Sequence, residues 1–163
     1  MDNKNYLYNN VKSKERDEII SIIKNYEHPR AAIIEALKIV QKYRGWVPDN
    51  LIFFIAKLLN ITTIDVEEVA TFYSHIFRQK VGRNIILICD SITCYINGYK
   101  EIYNKLKLEL KIVFGQTSPD KRFTLLPVCC LGNCDKSPTM MINKDTYNNI
   151  NIKNIMNIIE MYK

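Results

Sequence analysis

Asn84-Ile85-Ile86-Leu87-Ile88-Cys89-Asp90-Ser91-Ile92-Thr93-Cys94 is the stretch on which the reading of the fold turns. Ile85 to Ile88 is an unbroken run of Ile and Leu, which predicts a strand, Asn84 to Cys89, buried on both faces and ending at a cysteine. Cys94 follows five residues later, placing both thiols on one loop between that strand and the next helix. A second apolar run, Phe123 to Val128, leads in the same way into Cys129-Cys130-Leu131-Gly132-Asn133-Cys134. All five cysteines of the chain fall in these two groups. Four thiolates converging from two loops make an all-sulfur cage, a donor set that selects either zinc or an iron-sulfur cluster.

Working outward, Asn97-Gly98 is expected to start a helix through Tyr103, Leu106 and Leu110, and Lys111 to Phe114 to form a short strand. Thr139 to Ile142 is a third apolar strand candidate, Asp145 a turn residue, and Ile152 to Tyr162 a closing helix with Ile155, Ile158, Ile159 and Tyr162 turned inward. Strand, helix, strand, then strand, strand, helix is the order of a thioredoxin-like α/β sandwich.

The first half of the chain reads differently. Ser13 is placed to cap a helix over Lys14 to Tyr26, with Ile19, Ile20, Ile22 and Ile23 on a broad apolar face. Pro29 suits the first position of a second helix, Ile33, Ala36, Leu37 and Val40 fall at helical spacing, and Gly45 is placed to end it. A third helix begins near Pro48-Asp49, with Ile52, Ile55, Ala56 and Leu59 inward. The fourth follows Thr62-Thr63, with Asp65 and Glu68 at its positive end, and runs through Val66, Val69, Ala70 and Tyr73. The polar stretch Arg78 to Arg83 lacks helical periodicity and marks a boundary. The expected fold class is therefore α+β, with a small helical bundle over residues 1–80 and a thioredoxin-like domain over 81–163.

Composition narrows the class of function. The 163 residues are 47% hydrophobic and 25% charged, enough to bury a core without disulfide staples. The net charge of +6 is scattered along the chain with no basic stripe, which argues against nucleic acid. The longest uninterrupted apolar run, Leu51 to Ala56, is far too short to span a bilayer, so direct membrane insertion is not expected. Met1 to Tyr6 has no apolar core or small-residue cleavage site of the kind that marks a secretory signal. A cytoplasmic location follows, where thiols stay reduced unless a metal or redox role uses them.

Cysteine spacing favours two irons over one zinc. Cys89-x4-Cys94 and Cys130-x3-Cys134 are both wider than the C-x2-C common in zinc ribbons, and such loops can spread paired thiolates over a two-iron rhomb. A zinc-stabilised structural adaptor stays open as the competing reading. Cys129 and Cys130 are adjacent, and neighbouring side chains of an extended segment face opposite ways. Cys130 is the expected ligand, because its short loop to Cys134 holds Gly132, and Cys129 is expected to be a buried neighbour. Gly132 and the start of the Asn97-Gly98 helix would bring backbone N–H groups towards sulfur, and Lys136 would add a cation. His28 and His75, the latter placed on the fourth helix, read as surface or interface residues. Trp46 reads as a packing anchor between helices.

Cys89-Asp90-Ser91, Cys94, Asn97-Gly98-Tyr99, Gly115-Gln116-Thr117, Arg122-Phe123-Thr124-Leu125, and Cys130-Leu131-Gly132-Asn133-Cys134-Asp135 with Pro138 together resemble the thioredoxin-like 2Fe-2S ferredoxins of bacterial respiratory complex I. Gly45-Trp46-Val47-Pro48-Asp49 and Val69-Ala70-Thr71-Phe72-Tyr73 resemble the same family's helical-domain signatures. Ser137 departs from the pattern, standing where a glycine is common. The resemblance implies that Cys89, Cys94, Cys130 and Cys134 hold one 2Fe-2S cluster. It also implies an electron-transfer subunit of the NADH dehydrogenase module of NADH:quinone oxidoreductase, packed against the FMN- and NADH-binding subunit among the peripheral-arm subunits, on the cytoplasmic side of the inner membrane. The equivalent subunit of an NAD-linked hydrogenase or formate dehydrogenase is the related alternative. No G-x-G-x-x-G loop is present, so neither NADH nor FMN is expected to bind this chain alone.

Overall fold

The computed structural model describes residues 11–162. The chain divides into two compact units that meet in sequence between Lys80 and Val81. The Met1 to Tyr6 stretch, read above for a secretory leader, lies outside the described residues.

Among the described residues, the first unit contains four α-helices, α1 (Ser13–Ile23), α2 (Ile33–Arg44), α3 (Asp49–Leu59) and α4 (Thr63–Phe72), with a 3-10 turn at Pro29–Ala32 leading into α2. Leu37, Val40, Leu51, Ile55 and Val66 are wholly buried, so the i, i+3, i+4 pattern does mark the inward faces. Gly45 ends α2 with φ +79, the left-handed conformation that favours glycine. Asn60 serves the same role for α3 at φ 54. Thr62 forms a full capping box: its hydroxyl accepts from the Asp65 N–H while the Asp65 carboxylate accepts from the Thr62 N–H. One polar group is taken fully into this core. The Glu15 carboxylate, with no exposed surface, accepts from Arg44 Nε at 2.8 Å and from a second guanidinium nitrogen at 2.9 Å, tying α1 to α2.

Several boundaries move. Ser13 is the first residue of α1, and Lys12 sits at the cap position with no side-chain bond. The α1 helix stops at Ile23, where the backbone tightens to bonds from the Asn25 N–H to the Ile22 carbonyl and from the Tyr26 N–H to the Ile23 carbonyl, each 3.1 Å. The α4 helix stops at Phe72, so His75 lies beyond it, exposed. Trp46 is half-buried and stands at the edge of the core rather than inside it.

The second unit is a mixed four-stranded sheet in the order β2-β1-β3-β4. The β1 strand (Asn84–Cys89) runs parallel to β2 (Phe123–Val128), with Ile86 opposite Leu125 and Cys89 opposite Val128. Parallel neighbours require a crossover, and α5 (Ile92–Ile96) and α6 (Tyr99–Leu110) supply it. On the other side of β1 lies the antiparallel hairpin of β3 (Met140–Ile142) and β4 (Asp145–Tyr147), followed by α7 (Ile155–Glu160). Ile86, Leu106, Phe123, Leu125, Met140, Ile142 and Ile155 are wholly buried in one cluster. Burying each such side chain contributes about 1.5–3 kcal/mol.

Four expectations fail here for local reasons. Lys111 to Phe114 forms no strand: Lys111 is left-handed at φ 55, Gly115 at φ 82, and the β2 edge is met instead by Gly115 and Gln116 through bonds to Leu125. Asp145 is the first residue of β4 rather than a turn residue, because Asn143 takes the positive φ of the hairpin and its carboxamide accepts from the Ile85 N–H. The helix expected from Asn97 starts at Tyr99, since Gly98 at φ 101 interrupts the backbone. The closing helix begins three residues late, at Ile155, because the Asn151 side chain accepts from the N–H groups of Lys153 and Asn154.

Gly82 stands against the start of β2, and its N–H donates to Thr124 Oγ1 at 2.6 Å. A Cβ there would lie 2.8 Å from the Phe123 carbonyl carbon and 2.9 Å from its nitrogen. Gly82→Ala is expected to destabilise the protein by about 1–3 kcal/mol, seen as a lower urea midpoint. Thr62→Ala, which removes the capping box, is expected to cost about 1 kcal/mol in the same measurement.

Candidate functional site

The sheet delivers the first cysteine pair. Cys89 is the last residue of β1 and Cys94 lies within α5, and both are 2% exposed. Placing Cys94 on a helix corrects the expected loop. Ser91 allows the turn: its carbonyl accepts from the Tyr95 N–H at 2.9 Å, and one helical turn brings Cys94 back towards the strand end. The second pair hangs beyond β2. Cys130 and Cys134 are exposed, and their Sγ atoms lie 3.8 Å apart. Cys134 opens a 3-10 turn, Cys134–Lys136, in which Lys136 is exposed.

The two pairs are neighbours. Burial pushes the Cys94 thiol up to about 11, with a further rise from its hydrogen bond with the Cys89 side chain and from the charge of Cys134. The Thr139 N–H, pointing at the Cys94 sulfur, works against this by favouring the thiolate. Cys134 is also raised, first by its hydrogen bond with Cys130, while the Thr93 hydroxyl donates to it and pulls it down. Cys94 thus feels Cys89 and Cys134, and Cys134 feels Cys130 and Cys89.

Backbone donors face this group of sulfurs. Gly132 adopts φ +81, and its N–H donates to Cys130 Sγ at 3.3 Å, the close approach expected from the glycine in this loop. The Cys89 thiol donates to the Cys129 carbonyl at 3.8 Å. Cys129 itself is exposed rather than buried. It lies one residue past the end of β2, where the strand no longer carries side chains into the core.

The contacts that Thr139, Asn97 and Ser137 make escape the sequence reading, although Ser137 is marked there as a departure from the family pattern. Thr139 is 2% exposed, its carbonyl accepts from the Cys89 N–H at 3.2 Å, and nothing in an apolar strand run marks it as a donor to sulfur. Asn97, the residue just past the end of α5, donates its amide to Ser137 Oγ.

The donor set fits a two-iron cluster. It is all sulfur, with Cys130 Sγ and Cys134 Sγ 3.8 Å apart. The sulfurs stand as two pairs, as a rhomb with one pair per iron requires. Two ferric ions, two sulfides and four thiolates sum to a charge of about −2, which N–H and O–H donors stabilise. The Gly132 N–H, 3.3 Å from Cys130 Sγ, is such a donor.

Known proteins agree with this arrangement. The family described as thioredoxin-like 2Fe-2S ferredoxin matches residues 19–163. The E subunit of NADH-quinone oxidoreductase from Buchnera aphidicola of Acyrthosiphon pisum (strain APS) is 57% identical over 157 residues, covering 94% of this chain and 97% of the relative. Its counterpart of the same name in Escherichia coli K12 is 56% identical over 153 residues, 94% of this chain and 92% of the relative. Among solved structures, an NAD+-reducing NiFe hydrogenase in the H2-reduced state superposes with a TM-score of 0.68 at 22% identity, over 80% of this chain and 22% of that one, which shows a shared fold. With a family match through nearly the whole length and relatives more than half identical, the chain belongs to the thioredoxin-like 2Fe-2S ferredoxins.

Proposed function

We propose that this chain is the electron-transfer subunit of an NADH:quinone oxidoreductase, with one 2Fe-2S cluster held by Cys89, Cys94, Cys130 and Cys134 beside the flavin-bearing, NADH-oxidising subunit. The observation that supports the ligand assignment is the arrival of both cysteine groups at one end of the sheet, with Cys130 Sγ and Cys134 Sγ 3.8 Å apart and the Gly132 N–H donating to Cys130 Sγ. High identity to E subunits of NADH-quinone oxidoreductases, across almost their whole length, supports the choice of parent enzyme over a hydrogenase.

When bound, the cluster supplies one-electron exchange, complementing a flavin that accepts a two-electron hydride. The protein's own residues divide the rest of the work. Cys89 and Cys94 give a buried, sheet-anchored pair that water does not reach. Cys130 and Cys134 give an exposed pair at which another redox centre approaches most closely. Ile92, Tyr95 and Ile96 are exposed on the same short helix as Cys94 and offer an apolar surface to that partner. Cysteines that bind iron shed their protons, so a donor such as the Gly132 N–H favours the bound state.

No described helix is long and apolar enough to cross a membrane. Attachment on the cytoplasmic side of the inner membrane would then come through other subunits of the complex.

Anaerobically purified protein is expected to be reddish-brown, with near-equal iron and acid-labile sulfide, and to give a reduced-state EPR signal. A colourless protein with one bound zinc would sink the reading. Cys130→Ser is expected to lose most of the iron and sulfide while Cys129→Ser keeps the wild-type content; the reverse pattern would move the ligand to Cys129. Co-purification should recover a flavin-containing partner.

A further inference from the structure

We propose that the cavity between α3 and α4 is a docking site for a segment of a partner protein that pairs an apolar side chain with a Lys or Arg. Every residue that lines it belongs to the first unit, so the site is separate from the cysteines and does not depend on iron. The cavity holds about 360 Å3, in the range of clefts that enclose one small group. Ile52 is buried and gives it an apolar floor. Phe53 and Ile64 line it as well, yet they are 51% and 68% exposed, so two large apolar side chains stand open to solvent at its mouth. Apolar surface gathered around a cleft marks an interaction site.

Charge decides what the occupant carries. Arg78 is the cation of the cavity, and it is already committed. Its Nε donates to Glu67 Oε1 at 3.1 Å, and one terminal nitrogen donates to Glu67 Oε2 at 3.0 Å and to Asp49 Oδ1 at 2.6 Å. The other terminal nitrogen donates to the Val47 carbonyl. Four of the five N–H groups are thereby used, which leaves little for an anionic ligand. The two carboxylates outnumber the guanidinium and remain open, the Asp49 side chain 86% and that of Glu67 43% exposed. The surrounding helices have the same sign: from Asp49 to Phe72 the acids Asp49, Asp65, Glu67 and Glu68 face one base, Lys57, although the whole chain carries a net +6. A patch opposite in sign to the rest of the molecule attracts a cationic segment and repels nucleic acid and anionic membranes. The fitting occupant places its apolar side chain over Ile52 and its neighbouring Lys or Arg against Asp49 or Glu67.

The test uses the full chain labelled with 15N, and a protein that takes up no iron still decides it. Two probes are titrated while the backbone amides are followed by NMR, N-acetyl-Phe-Lys-amide and N-acetyl-Phe-Glu-amide. The lysine peptide is expected to shift the amides of Ile52, Phe53, Ile64 and Glu67 saturably and to bind about tenfold more tightly than the glutamate peptide. Phe53→Ala and Ile64→Ala, both at exposed positions, are each expected to weaken it several-fold. Asp49→Asn is expected to narrow the difference between the peptides, while Leu108→Ala, at an exposed apolar residue of α6, leaves binding unchanged. Equal affinity for the two peptides, or no saturable shift at the cavity, overturns the proposal. In the assembled complex, hydroxyl-radical footprinting is expected to oxidise Phe53 and Ile64 several-fold less than in the free chain, and equal oxidation likewise overturns it. Protection that rises with the concentration of the chain alone would make the occupant a second copy, against the proposal. A chain that recovers no partner subunit overturns the reading of the parent enzyme instead, and the peptides then decide the cavity.

Discussion

The parallel ladder between β1 and β2 is the constraint on which the second unit depends. It joins two segments almost forty residues apart and ends with Cys89 opposite Val128, so that both cysteine groups emerge at the same end of the sheet. Neither group could be brought there by local structure alone. The α5–α6 crossover is long enough to permit the parallel pairing, and its first helix is also the carrier of Cys94. Topology and ligand placement are thus one problem, solved by one connection.

The ligand pairs differ in character because their supports differ. Cys89 belongs to a central strand paired on both sides, and Cys94 to a helix packed over its end. Cys130 and Cys134 belong to a loop with one 3-10 turn, held by side-chain and backbone bonds from Asn149, Asn148 and Asn97. A sheet-anchored pair sets position, whereas a loop-borne pair can adjust to what it binds. Such asymmetry suits a centre that must be both rigidly sited and accessible.

Much of this was legible in the residues. The apolar runs Asn84–Cys89 and Phe123–Val128 coincide with β1 and β2, because a buried central strand leaves a signal that few alternatives share. Gly45 and Gly132 announced their left-handed conformations, and the latter its approach to sulfur. What periodicity missed was set by single side chains or by distant partners. Asn143 captured the hairpin turn from Asp145, and Lys111 and Gly115 took positive φ where a strand was expected. Cys129 proved exposed because alternation of faces is a property of strands, and β2 has ended one residue before it. The contacts of Thr139, Asn97 and Ser137 carry no sequence mark, since such partners meet only through the fold.

The position of β2 at the edge of the sheet has a consequence for fidelity. The β2 strand, which carries Pro127, is aligned by its ladder to β1 and by the bonds of Gly115, Gln116 and Ser118 on its other side, and sliding it by one residue against β1 would exchange the places of Cys129 and Cys130. Two adjacent thiols would make such an error chemically competent, since either could reach iron. The slide is blocked far from the cysteines: it would turn Phe123 and Leu125, both without exposed surface, out of the core cluster that holds them. Under the proposed assignment of Cys130, the choice between the two thiols is therefore enforced by hydrophobic residues at the opposite end of the strand.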